Sequence, residues 1–369
     1  VIAVEDTLEL TKAFIRARTD NEEGVINAIG LAESWLRAKG VRVYRETNCG
    51  LPMLVGFAGN QGSSKEPVVM LNGHLDVVPA KPEQFEPLEK DGRLFARGSY
   101  DMLGAAATMM RCLADWAGSG RGRGVGLMLV PSEETAGEIG TQYLLDKGYG
   151  AEFAICGEPT DLGIAVEAKG VLQVEIVLRG KSAHGSKPWE GENAIEAAFE
   201  TYERIRQSPF MKERTQSYPG PSLNLARIEG GDAINRVPDR CMLTVDIRYL
   251  PCQSCDEIVR QINSAAQGAV VRVINVGIPV SVSKDNPHVT TLAQCVYDIC
   301  GSNPTFVSQH GSADTRFFTA RGIPAVEFGP VGANHHGDDE YVQLDSLAIY
   351  RRILDQFIWK EVSHRDDYR

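Results

Sequence analysis

Val68-Val69-Met70-Leu71-Asn72-Gly73-His74-Leu75-Asp76-Val77-Val78-Pro79 combines a continuous apolar run with an Asn-Gly break and a His-x-Asp pair. A short run of this kind, bounded by turn residues, predicts a buried strand. Residues two apart on an extended chain point to the same side, so His74 and Asp76 face one way at the strand's end. After a polar stretch, Arg97-Gly98-Ser99-Tyr100-Asp101-Met102-Leu103-Gly104 enters an Ala-rich helix through Ala105-Ala106-Ala107-Thr108. A tight turn and a helix N-terminus would hold Asp101 near the same point. Imidazole and carboxylate are ligand types for zinc, and a neighbouring carboxylate commonly fixes a ligating histidine. The convergence predicts a metal site. By itself His-x-Asp reads more simply as a satisfied polar turn, and the rest of the chain decides between the two.

Two further apolar runs end in acids. Val125–Val130 leads into Pro131-Ser132-Glu133-Glu134-Thr135-Ala136-Gly137, and Phe153–Cys156 into Gly157-Glu158-Pro159-Thr160. Such runs suit strands buried on both faces of a parallel or mixed sheet. Ligands of open α/β sheets sit beyond the carboxyl ends of strands, so acids far apart in sequence can meet there. Upstream, helices are expected at Leu8–Ala17, capped by Asp6 or Thr7, and at Glu22–Lys39, ending at Gly40. Val41–Tyr44 and Leu54–Phe57 read as strands and Gly59–Glu66 as a polar turn. Gly118–Gly124 reads as a flexible connector, and a helix is expected after Pro131–Gly137, through Leu145.

The pattern changes near Lys169. Val171–Leu178 alternates apolar and polar residues, followed by helical periodicity over Ala194–Ile205 and strands over Ser222–Ile228 and Met242–Tyr249. A helix over Cys255–Ala266 and a strand over Val270–Val276 complete a βαββαβ order. That order predicts a ferredoxin-like α+β insertion at 169–280, with an antiparallel sheet and both helices on one face. The α/β pattern resumes with a helix at Val289–Cys300, a strand near Thr305–Val307, a helix at Thr315–Ala320 and a strand at Ala325–Phe328. A loop at Gly329–Asp339, a last helix at Leu344–Trp359 and a polar tail from Ser363 complete the chain. The expected architecture is a mixed-sheet α/β catalytic domain in two segments, 1–168 and 281–369, interrupted by the insertion.

Composition agrees. A length of 369 residues predicts two domains, and 43% hydrophobic with 24% charged residues is ordinary for a globular protein. A net charge of −11 argues against a nucleic-acid-binding surface. No run approaches the roughly 18 apolar residues a membrane span needs, so no membrane partner is expected. Val1–Asp6 lacks the basic start of a secretory signal. The eight cysteines show no framework spacing, which suggests reduced thiols and a cytoplasmic home. Cys252-Gln-Ser-Cys255, without a second pair, reads as incidental.

Glu133-Glu134 could be a solvated pair at a helix start. Its functional reading gives the adjacent carboxylates two roles, one binding metal and the other moving a proton of water. His335-His336-Gly337-Asp338-Asp339-Glu340-Tyr341 adds imidazole, and two adjacent histidines rarely serve one cluster.

In this order and with these gaps, His74-Leu-Asp76-Val-Val-Pro, Arg97-Gly-x-x-Asp101-Met, Pro131-Ser-Glu133-Glu134, Gly157-Glu158-Pro-Thr and His336-x-x-Asp-Glu340-Tyr resemble a known family. It is the co-catalytic zinc metallopeptidase and amidohydrolase family of acetylornithine deacetylase, succinyl-diaminopimelate desuccinylase and carboxypeptidase G. The resemblance spans residues 5 to 360 or so. It implies two divalent metal ions, zinc by ligand type with cobalt or manganese as alternatives. Asp101 would bridge them, with His74 and Glu158 completing one ligand set and Glu134 and His336 the other. Asp76 would orient His74, and Glu133 would be the general base. Two cations roughly 3.5–4 Å apart lower the pKa of a shared water and polarise the scissile carbonyl.

The resemblance extends into the insertion. Gly180-Lys-Ser-Ala-His184-Gly-Ser is similar to the family segment whose histidine reaches the partner subunit's site and stabilises the oxyanion, which implies a homodimer. The segment from Pro221 through Asn235-Arg, with Asp246-Ile-Arg248-x-Leu-Pro, looks closest to acetylornithine deacetylase. Asn235 and Arg248 would contact substrate oxygens, although Arg248 could instead pair with Asp246. Gly311-Ser312-Ala-Asp314-Thr-Arg316-Phe resembles the substrate loop of the desuccinylases. Leu103 stands where the family usually has Lys, and Glu158 is the ligand type of deacylases and carboxypeptidases, where aminopeptidases tend to carry Asp. The expected reaction is hydrolysis of the amide of an N-acyl-L-amino acid, acetylornithine first, with desuccinylase or carboxypeptidase and dipeptidase activity as alternatives.

Overall fold

Helix α1 (Ile2–Arg16) begins the chain in the computed structural model, which describes residues 2–58, 66–119, 124–135, 137–311 and 313–366. It starts before the expected Leu8, so Thr7 lies within the helix and is buried. Helix α2 (Glu22–Ala38) is capped by Asn21, whose side chain accepts from the Gly24 amide. The chain then forms β1 (Arg42–Asn48), β2 (Leu51–Phe57), β3 (Val69–His74), β4 (Leu88–Lys90), β5 (Arg93–Phe95), α3 (Gly104–Gly118) and β6 (Val125–Val130). The expected turn at Gly59–Glu66 and the connector at Gly118–Gly124 lie largely outside the described residues.

Past β6 and its turn, the expected helix through Leu145 forms after Gly137. It opens with a π-helical turn at Glu138–Gln142 and continues directly as α4 (Tyr143–Asp146). Next come β7 (Phe153–Cys156), β8 (Ile164–Ala168), β9 (Gly170–Arg179), α5 (Ala194–Arg206), β10 (Ser222–Gly230), β11 (Arg240–Tyr249), α6 (Cys255–Ala265), β12 (Val270–Gly277) and β13 (Val280–Ser281). The chain ends through α7 (Pro287–Cys300), β14 (Phe306–Gln309), α8 (Thr315–Thr319), β15 (Ala325–Glu327), β16 (Gly332–Ala333), β17 (Tyr341–Gln343) and α9 (Leu344–Asp366). Helix α9 therefore runs into the stretch read as a polar tail.

Two compact units result, Val1–Val166 with Val282–Val307 and Ala313–Arg369, and Glu167–Ser281 with Ser308–Ser312. In the first, strands follow the order β1-β2-β6-β3-β7-β15-β8. β3 is parallel to both β6 and β7, and β15 is parallel to β7, whereas β1-β2, β2-β6 and β15-β8 are antiparallel. The sheet is mixed. Both of its faces are buried, which is why its central strands read as unbroken apolar runs. Met53, Val55, Phe57, Met70, Met128, Val130, Ala154 and Cys156 pack on one face with Leu144, Phe317 and Phe318. On the other, Phe153 meets Phe357 of α9 at 5.8 Å between ring centroids. A Cβ on Gly73 would stand 3.3 Å from that of Ala106, so the small residues of α3 let the helix lie close on β3.

A second small sheet, β16-β17-β5-β4, was not legible in the sequence, its strands being only two or three residues long. It pairs Tyr341 with Phe95 and Val342 with Leu94, and so joins the two stretches that carry Asp101 and His336.

The second unit has a four-stranded antiparallel sheet in the order β10-β11-β9-β12. One face is covered by α5 and α6, with Leu172, Val174, Ile176, Leu243, Val245 and Ile247 against Ala198, Ile205, Ile258 and Ile262. This is the expected ferredoxin-like arrangement.

Candidate active site

The three adjacent parallel strands β6, β3 and β7 end side by side, and each delivers a side chain there. His74 is the last residue of β3, Glu133 and Glu134 lie in the turn after β6, and Glu158 follows β7. Asp101 comes from the buried Ser99–Leu103 segment entering α3, in which the Asp101–Met102 peptide is cis. His336 sits in the loop between β16 and β17 at φ 63°, in the left-handed region. Gly98 begins the Asp101 segment at φ 78°, and a Cβ there would lie 2.6 Å from Val77 Cγ1, so only glycine fits this turn.

Asp101 stands between the two imidazoles. Its Oδ1 is 3.2 Å from His74 Nε2, and its Oδ2 is 3.3 Å from His336 Nε2. His336 Nε2 is also 3.1 Å from Glu134 Oε1, and His74 Nε2 is 3.8 Å from Glu158 Oε2. One donor atom each of His74, Asp101 and Glu134 falls within 4.8 Å of the others. Ligand atoms on a tetrahedral ion at about 2.0–2.1 Å stand roughly 3.3 Å from one another, so the donor spacing suits shared cations. The charge balance points the same way. Among the described residues, the ion pairs of Asp101, Glu134 and Glu158 are all to these two imidazoles, and so much negative charge gathered with so little solvent calls for a cation.

Burial opposes protonation of His74, but Asp101 and Glu158 outweigh it and hold the imidazole well above its usual range. His336 is pushed up to about 10 by Asp101 and Glu134. Burial would raise Asp101, but hydrogen bonds from His336 and His74 pull it below the usual carboxylate range. Glu133 makes no ion pair among the described residues, and burial followed by the charge of Glu158 raises it well above the ordinary glutamate value. A carboxyl so placed holds a proton more readily than a free one, as a general base that later acts as an acid must.

Asp76 does something the sequence did not disclose. His74 Nδ1 is 2.8 Å from the backbone carbonyl of Asp76 and 3.7 Å from its carboxylate. That carboxylate accepts the amides of Glu133 and Glu134 at 3.0 and 2.9 Å. The main chain of Asp76 thus orients the histidine while its side chain fixes the acidic turn. Arg97 and Glu340 also went unassigned from the sequence. They form a buried ion pair of 2.6 Å beside Asp101 and His336, and their presence in two of the quoted motifs was the available signal. His335 lies off the cluster, its ring at 6.1 Å from that of Tyr100.

The remaining candidates belong to the second unit. His184 is exposed and accepts the Ser186 amide on Nδ1 at 3.1 Å, which puts a neutral ring's proton on Nε2, where among the described residues it has no partner. Asn235 is next to it, since its carbonyl accepts the Gly185 amide at 2.7 Å. Arg248 lies on β11 and grips Asp246 through Nε at 2.8 Å and Nη2 at 3.2 Å, the local pairing raised above as the alternative. Gly311 is exposed, and Ser312 lies outside the described residues. Asp314, from the same motif, belongs instead to the first unit's interior. It accepts from Thr141 at 2.5 Å, and burial pushes it up to about 7.

A model of peptidase family M20/M25/M40 matches residues 70–360. Succinyl-diaminopimelate desuccinylase of Alkalilimnicola ehrlichii is 27% identical over 378 residues, covering 95% of this chain and 99% of its own. The enzyme of that name from Gluconacetobacter diazotrophicus is 29% identical over 378 residues, covering 95% and 96%. Among solved structures, aminopeptidase PepT from Bacillus cereus has a TM-score of 0.82 at 19% identity, covering 98% and 99%. An M20 family metallo-carboxypeptidase from Sulfolobus solfataricus has a TM-score of 0.78 at 18% identity, covering 97% and 99%. At these identities the solved structures speak to the fold alone.

Proposed function

The chain belongs to peptidase family M20/M25/M40, whose members are metal-dependent hydrolases, and from that premise we propose that it cleaves the amide bond of N-acyl-L-amino acids. The observation that carries the proposal is the cluster of His74, Asp101 and Glu134, approached by Glu158 at 3.8 Å from His74 and by His336 at 3.1 and 3.3 Å from Glu134 and Asp101, with Glu133, which makes no ion pair among the described residues, in the same turn as Glu134. In this reading Asp101 would be the ligand shared by two divalent ions, preferably zinc. His74 and Glu158 would hold one, and Glu134 and His336 the other. When bound, the ions supply charge that acidifies water and polarises the scissile carbonyl.

The chain's own residues do the rest. Glu133 takes a proton from the attacking water and passes it to the leaving amine nitrogen. Asp76 keeps Glu133 and Glu134 on their separate tasks by fixing both amides of the turn. His184, with its proton on Nε2, donates to the developing oxyanion of the neighbouring copy in a homodimer joined through the inserted unit. Support for such a dimer comes from edge strand β12, where Val270, Val273, Ile274 and Val276 are each 46 to 52% exposed.

Two acyl groups compete. The curated relatives that span 95% of the chain are desuccinylases, which favours an N-succinyl diamino acid. The segment holding Asn235 and Arg248 favours N-acetylornithine as a second reading. Amine release from N-succinyl-LL-diaminopimelate, N-acetylornithine, a dipeptide and an N-acylglutamate, measured with zinc, cobalt or manganese added, separates them. The expected result is turnover of an N-acyl diamino acid with kcat/KM at least about tenfold above the dipeptide, a gap of about 1.4 kcal/mol in transition-state binding. A preference for the dipeptide would overturn the proposal.

A further inference from the structure

Arg97 and Glu340 are the most deeply buried ion pair beside the site, at 3% and 1% exposure, and neither is used by the chemistry above. Two charges out of water are costly, and an apolar pair of similar volume often does as well for stability alone. What an apolar pair could not do is visible in the remaining arms. Glu340 Oε2 takes Arg97 Nη1, and Oε1 accepts the amides of Tyr100 and Asp101, each at 3.1 Å. Arg97 Nη2 donates to the carbonyl of His336 at 3.1 Å, and its Nε has no partner among the described residues. Each of these contacts outside the pair ends on the main chain at Asp101, at its neighbour or at His336. The last sits in a conformation that L residues seldom adopt, so its position needs such a hold.

We propose that Arg97 and Glu340 are positioning residues that fix the spacing between Asp101 and His336, and through it the affinity of the site for divalent cations; this rests on the metal-site reading above. The small sheet brings the two stretches together, and the ion pair sets their distance. It acts on backbone, where no ligand exchange disturbs it.

The test is zinc affinity of the full-length protein by competition with a chromophoric chelator. It compares wild type, Glu340→Gln, Arg97→Lys and the distant core variant Ile29→Ala, with thermal unfolding of each metal-free protein recorded alongside. Glu340→Gln is expected to bind zinc about 10- to 100-fold more weakly, the usual cost of losing a partner behind a metal ligand. Arg97→Lys keeps the charge but loses the forked contact, and should show a smaller loss in the same direction. Ile29→Ala should unfold at lower temperature with unchanged zinc affinity. Wild-type affinity in both Arg97→Lys and Glu340→Gln would overturn the proposal, as would an affinity loss in Ile29→Ala that matches theirs. If Glu340→Gln does not fold, Arg97→Lys against Ile29→Ala decides. Failure of the wild type itself to bind zinc would instead overturn the metal-site reading.

Discussion

Glu133→Gln is expected to lower kcat by about 100- to 10,000-fold, the span of general acid–base catalysis, while metal content stays at the wild-type level. Glutamine keeps the size of the side chain, and the backbone amide at 133 still reaches Asp76, so the turn that presents Glu134 is undisturbed. The donor atoms that cluster most tightly belong to His74, Asp101 and Glu134 and do not include Glu133. An amide cannot accept the proton of attacking water, however, and has none to return to the amine. KM should therefore change little. Steady-state kinetics on the best N-acyl substrate, with metal analysis of the same preparation, checks the assignment. Turnover within threefold of wild type would remove Glu133 as the base, and loss of metal would make it a ligand instead.

Asp101→Ala should cost more. Asp101 approaches both imidazoles, one through each carboxylate oxygen. Without it, among the described residues, His74 Nε2 keeps only Glu158 as an acidic partner, and His336 Nε2 only Glu134. Metal affinity is expected to fall by more than the about 10- to 100-fold typical of a residue behind the ligands, with activity falling below detection at ordinary metal concentrations. Asp101→Glu is a sharper test of bridging. It preserves the charge but moves both oxygens by one methylene, and a misplacement of about 1 Å can cost about 100-fold in rate. Activity of Asp101→Glu near wild type, in metal-buffered assays, would show that no shared ligand is needed.

The mixed sheet and the inserted α+β unit were legible because their signals are long. Val125–Val130 and Phe153–Cys156 are apolar without interruption since both sheet faces are covered, and Val171–Leu178 alternates since its sheet is covered on one. The short strands β4, β5, β16 and β17 escaped notice because two or three residues carry no period. The helix after Gly137 was legible as well, and Gly137 at φ 73° marks where the turn held by Asp76 gives way to it. At the site, individual ligand types could be read where they end strands. Hydrogen bonds between distant backbone groups could not, which is why Asp76 was assigned to His74 by its carboxylate, and why Arg97 and Glu340 had no role. Arg248 shows a related limit. Residues two apart on a strand share a face, so Asp246 was always within its reach.

Elemental analysis of the purified wild-type chain, saturated with zinc and then dialysed against metal-free buffer, tests the central claim most directly. About two zinc ions retained per chain is the predicted result, matching a paired-ion hydrolytic site. Retention of no divalent ion above the buffer blank would contradict it.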